Sequence, residues 1–211
     1  ALDRALEVEK SLFQAWSLRG APLVFPTHDA PVFLTGLLPE NEDDLRLFIP
    51  GAADVLARLS ITYTNAVELT VAAIEEVLAG ATLAKKKVLD AQLAAAVAPR
   101  LSPAQRETWR SPSPFGPDQT LGEAVVSFAL RPAALRGSVC FAPMGGENAR
   151  FARPQDWLGF PLPQTGRETA RAELIRRYLR CYGPSTPGYF ATWAGIAPAQ
   201  AAATWPLVEP E

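Results

Sequence analysis

One phrase occurs twice in this chain, and it restricts what the chain can fold into. Residues 18–26 read Leu-Arg-Gly-Ala-Pro-Leu-Val-Phe-Pro, and residues 135–143 read Leu-Arg-Gly-Ser-Val-Cys-Phe-Ala-Pro, with Arg19 and Arg136 lying 117 positions apart. Each copy follows a stretch of helical periodicity and opens onto a short apolar run closed by proline. Glycine ends helices because it alone enters the left-handed conformation at little cost. A repeated helix–glycine–strand junction predicts one small module used at least twice. Small helical modules that finish in a hairpin are most often winged helices, and winged helices most often touch DNA.

The 211 residues are 48% hydrophobic, enough for one sizeable core or several small ones. Twenty prolines cluster in connectors such as 110–117 and 160–163, which suits short units joined by stiff turns. The formal net charge of −2 argues against indiscriminate phosphate binding, which ordinarily needs a basic face. Residues 1–60 are acidic, with five Lys/Arg against nine Asp/Glu, so any basic stripe belongs to the remainder. Two cysteines without a CxxC pair, and a single histidine, fit no usual zinc spacing. Cys140 and Cys181 read as buried core thiols. The chain lacks a long apolar run and a targeting segment, so the expectation is a soluble, cytoplasmic protein without metal, cofactor or membrane contact.

Along the chain, residues 2–19 read as one helix through Leu2, Leu6, Phe13 and Trp16, stopped by Gly20. Leu23–Phe25 make a strand, Thr27 or Asp29 can cap a helix at 31–36, and the acidic run 40–44 marks a solvated helix start. Thr70 reads as the cap of a helix over 71–79, Lys85–Lys87 open a helix through Val97, and Ser102-Pro103 start another. Residues 121–135 are helical and apolar, with Pro132 expected to bend or divide them. Val139–Phe141, a tip at Met144–Asn148 and a return at Arg150–Arg153 form the clearest wing. A helix from Glu168, a second from Thr186-Pro187 to Trp193, a turn at Gly195 and a third helix from Pro198 have a helix-turn-helix layout. The resulting organisation is mostly α with small β-hairpins, as tandem winged helix-turn-helix modules. Residues 1–66 would hold the end of a first module and a connector, 67–165 a second module, and 166–211 the start of a truncated third. Both ends fall inside modules, which predicts a piece of a longer protein.

Seven cations are the candidate DNA contacts. Lys85, Lys86 and Lys87 create a positive field that tolerates any sequence, although three lysines can also be a solvated helix start. At a helix start they oppose the macrodipole, which favours an external reason for them. Arg19 and Arg136 stand in the last turns of their helices, where they cap carbonyls and can also reach a backbone phosphate. Arg150 and Arg153 flank the proposed wing. Arg176, Arg177 and Arg180, beside Glu173, read as salt-bridged surface. His28-Asp29 reads as a cap rather than a catalytic pair, Glu123 as a first-turn acid, and Trp109, Trp157, Trp193 and Trp205 as core anchors.

Trp16 to Gly20, residues 135–143, Gln155 to Leu158, and Arg177 to Thr186 with Phe190 to Gly195 resemble a bacterial winged-helix DNA-binding family. That family includes DNA glycosylases that release alkylated bases and unhook interstrand crosslinks. The resemblance implies tandem winged helices followed by a small β-barrel, in a considerably longer chain. The glycosylases carry a Gln-x-Gln-like catalytic motif upstream of the segment that opens this chain, and no Gln-x-Gln or Gln-x-Asp pair occurs here. Duplex DNA, damaged or intact, is the expected partner. If the parent is an enzyme it would cleave an N-glycosidic bond with residues outside this chain. A non-catalytic transcriptional regulator, or a protein-interaction module built on winged helices, is the alternative that the acidic balance favours.

Overall fold

A computed structural model describes residues 1–80, 84–142 and 150–208. The chain begins with a helical turn, Arg4–Val8, and then a hairpin of β1 (Leu12–Trp16) and β2 (Pro22–Pro26). Short helices α1 (Ala30–Phe33), α2 (Glu42–Phe48) and α3 (Ala53–Leu59) lead to α4 (Tyr63–Val77). There follow β3 (Ala84–Lys85), α5 (Lys86–Val97), α6 (Pro103–Trp109), α7 (Leu121–Leu135), β4 (Cys140–Phe141) and β5 (Arg150–Ala152). The described chain closes with α8 (Pro154–Leu158), α9 (Arg167–Tyr182), α10 (Pro187–Ala194) and α11 (Pro198–Thr204). The molecule is therefore mostly helical with one small sheet of order β2-β1-β4-β5-β3, every pairing antiparallel. Among the described residues no helix is long and apolar enough to cross a membrane.

The sheet separates two helical layers. Trp16, Phe141 and Phe151 point to one side and join the core of α3 to α7, with Trp16 stacked 5.3 Å from Phe151 and tilted 4.5 Å from Phe141. Phe13, Ala15, Cys140 and Ala152 point to the other side, into the core of α1, α9, α10 and α11. The alternation follows from the two-residue period of a strand.

That period corrects the helix expected over residues 2–19. Phe13 and Ala15 are fully buried around a half-buried Gln14, a pattern that suits a strand with both faces covered, and β1 pairs with β2 over five residues. Lys10 breaks the helical start with a left-handed φ of 54°. The first Leu-Arg-Gly is consequently the turn of a hairpin, whereas the second ends α7.

Other local expectations divide. Ser102 and Gln105 form the capping box of α6, and Thr120 with Glu123 forms that of α7, which confirms Glu123 as a first-turn acid. Pro132 lies within α7 without dividing it. Thr62 caps α4, accepting the Asn65 N–H at 3.1 Å, while Thr70 is buried mid-helix and donates to the Ala66 carbonyl. The acidic run is structural: buried Asp44 accepts the Glu40 N–H, and Glu42 accepts the Thr64 N–H and hydroxyl at the start of α4. Thr27 caps nothing; its hydroxyl donates to the Lys10 carbonyl. Both cysteines are free, but only Cys140 is buried, and Cys181 is exposed on α9.

Candidate nucleic-acid interface

The sheet register sorts the seven candidate cations onto two ends. Arg150 on β5 stands directly opposite Lys85 on β3, and Ala142 donates its N–H to the Arg150 carbonyl at the same end. Lys86 and Lys87 continue from β3 into α5. At the opposite end lie the β1–β2 turn carrying Arg19, the α7–β4 junction carrying Arg136, and the β5–α8 junction carrying Arg153. The expected wing tip, Met144–Asn148, lies outside the described residues.

Lys85 and Arg150 are both exposed, and neither has a carboxylate partner among the described residues. Cross-strand neighbours of like charge repel, so this pair is suited to an anion that bridges them. Its neighbours are engaged to different degrees. Lys86 Nζ donates to Asp90 Oδ1 at 2.7 Å and to Ser127 Oγ at 2.7 Å, which ties α5 to α7. Burial raises the Asp90 carboxyl above its ordinary range, against the pull of Lys86. Lys87 Nζ approaches exposed Asp118 only to 3.9 Å.

At the other end the arginines do separate jobs. Arg153 Nε and Nη2 fork onto Asp156 at 2.7 and 3.1 Å, and Nη1 reaches Glu75 of α4 at 2.8 Å. Those hydrogen bonds hold the Asp156 carboxyl below the ordinary carboxylate range. Arg136 is exposed over a cleft of about 150 Å³ that it shares with Arg153, Glu75 and Gln164. Arg19 ends no helix. It adopts a left-handed φ of 55° in the hairpin turn and packs on the α10–α11 turn, where a Cβ on Gly195 would come within 2.5 Å of its Cα.

His28 is exposed with its Nε2 3.6 Å from Asp29 Oδ1, and the same carboxylate oxygen is held more closely by Arg177 of α9, at 2.7 Å. Arg177 also binds Glu173 at 2.8 Å, the salt-bridged surface expected there. Among the described residues no group of three or more His, Cys, Asp or Glu is placed to hold a metal ion.

A family model described as DNA glycosylase AlkZ-like matches residues 1–211. The chain belongs to the AlkZ-like DNA glycosylase family. Streptomyces sahachiroi DNA glycosylase AlkZ is similar in structure, with a TM-score of 0.63 at 20% identity over 97% of this chain. At that identity the likeness speaks for the fold, and the AlkZ-like chain spans 49% of the AlkZ chain. No curated protein matches by sequence.

Two features of this AlkZ-like chain escape a reading of its sequence. Arg131 of α7 lays its side chain along Gly20, where an added Cβ would come within 3.0 Å of the arginine Cδ. Phe115 is 54% exposed at the lip of a groove between α5 and the loop before α7. A phenylalanine flanked by Pro-Ser-Pro and Gly-Pro was the available signal, since turn formers on both sides leave an aromatic ring no strand or helix face to bury.

Proposed function

We propose that this chain is a DNA-holding part of an AlkZ-like DNA glycosylase, and that Lys85 and Arg150 grip the phosphate backbone of a duplex. The observation that carries this is the cross-strand pair itself: two exposed cations directly opposite one another, without a carboxylate partner among the described residues, beside Lys87. The order helix–strand–helix–helix–helix–strand–strand from α4 to β5, with sheet order β4-β5-β3, supports reading this region as a winged helix that carries one additional helix. Its last helix would ordinarily enter the major groove, but α7 is buried along most of its length. The grip therefore falls to the sheet end and the start of α5, which favours backbone contact over base reading. Base release by hydrolysis of an N-glycosidic bond belongs to the same proposal, with its catalytic groups outside residues 1–211.

The test is binding to labelled duplex DNA across a salt series, for the chain and for Lys85→Ala/Arg150→Ala. Each phosphate contact contributes about 0.9 to the slope of log K against log salt, so the double variant should bind more weakly with a slope shallower by about two. An unchanged slope, or no binding by the parent chain at low salt, would remove the DNA grip and leave a protein-interaction module.

A further inference from the structure

Next to Lys85 and Arg150 lies a groove of about 430 Å³, and its chemistry differs from that of the basic pair. The carboxylates of Asp90, Asp118 and Glu123 line it and outnumber the ammonium groups of Lys86 and Lys87. A phosphate is therefore disfavoured inside it. The Phe115 ring forms part of its wall and packs T-shaped with Phe128, with centroids 5.2 Å apart and planes at 77°, and the ring remains half-open to solvent. Ser113 Oγ donates to Gln119 Oε1 at 3.0 Å, which orients the amide and leaves Nε2 without a partner among the described residues. Thr120 occupies Glu123 Oε2 through its N–H and hydroxyl, leaving Oε1 without one. The groove thus offers a half-exposed aromatic ring, one amide donor and one carboxylate acceptor.

We infer that this groove receives an unpaired nucleobase, stacked on Phe115 and bonded along one edge by Gln119 Nε2 and Glu123 Oε1. Every base has a π-face and carries a donor beside an acceptor on its pairing edge, so the site fits a base of any identity. The adjacent cations hold the strand's phosphates while the acidic groove admits only its neutral base. This rests on the DNA-holding reading, and it adds that the chain senses loss of base pairing.

Two measurements test it separately from the grip. Duplexes carrying one bulged nucleotide, or the same bulge without its base, are compared for the chain and for Phe115→Ala and Phe115→Trp. The chain should prefer the bulged base by about tenfold, in line with alanine-scan values for base stacking. Phe115→Ala should lose the preference while keeping its affinity and salt slope on fully paired duplex, and Phe115→Trp should retain it. Equal binding of the two bulges by the parent chain overturns the inference and leaves the grip intact. Titration with deoxyadenosine, read at the Gln119 side-chain amide by NMR, examines the groove without a duplex. A shift that is absent with deoxyribose 5-phosphate and absent in Phe115→Ala supports the site, and no shift overturns it. A shift in a chain that binds no duplex would sink the grip and leave the groove standing.

Discussion

Val24 and Phe141 occupy equivalent places in the two copies of the repeated phrase, and both lie opposite Gln14, one on each side of β1. The repeat is therefore a relation within one sheet. The two copies deliver strands that run parallel to each other on either side of β1, and they arrive by different routes, from a hairpin turn and from the end of α7. Gly20 and Gly137 serve the same purpose in both, with φ of 64° and 74°, because each route requires a left-handed residue before the strand.

Arg153 is expected to act within the protein. Its guanidinium is committed to Asp156 and Glu75, and the link to half-exposed Glu75 is screened by solvent. Arg153→Ala should lower stability by about 0.5–1 kcal/mol in urea unfolding, while the duplex salt slope stays unchanged. A slope shallower by about one would instead make Arg153 a phosphate contact.

Asp29 should report on acid unfolding. The Arg177 hydrogen bond holds its carboxyl below the ordinary Asp range, ahead of the opposing effect of burial. A depressed folded-state pKa adds stability above the ordinary value near pH 4, and that stability is lost as pH falls through the folded value. Asp29→Asn should therefore be less stable by roughly 1 kcal/mol at pH 7 and should lose less on acidification to pH 3. Parallel stability–pH curves for the two proteins would contradict this.

Gly122 on α7 faces the edge of Trp109, and a Cβ there would come within 2.2 Å of the indole Nε1. That nitrogen donates to the Ala94 carbonyl of α5 at 3.0 Å, so the ring cannot retreat without leaving its buried N–H unpaired. Gly122→Ala should cost about 3 kcal/mol, the upper end for overpacking. A loss under about 0.5 kcal/mol would mean that α6 yields easily.

Gly195 should matter for the joint between the hairpin and the last helices. It has a left-handed φ of 73° and meets the Arg19 backbone. Gly195→Ala meets both penalties and should cost about 2 kcal/mol or more. Hydrogen exchange at Ser17–Ala21 should quicken with it, and unaltered exchange there would show that the turn does not depend on this contact.

Much of the architecture was legible from local chemistry. The Ser102 cap, the first-turn Glu123, the span of α7, the Thr186 cap, the turn at Gly195 and the β4–β5 pairing all stand where residue types require them. Residues 12–16 were not legible, because Leu6, Phe13 and Trp16 fit a 3.6-residue period while the period of two was visible only over a short span. The seven cations were legible as cations. Their grouping was not, since it depends on strand register.

The amino-acid sequence by itself determined where helices start and stop, which residues are apolar, and the family resemblance, because these depend on neighbours a few residues apart. Only the tertiary structure decided that both phrases flank one strand, that Arg153 is engaged by α4 and α8, and that Lys85 faces Arg150. Those are contacts between residues far apart in the chain, Gln14 with Phe141 and Glu75 with Arg153 among them. They are selected by burial on both faces of the sheet and by which charges find partners, and neither is a property of any local stretch of chain.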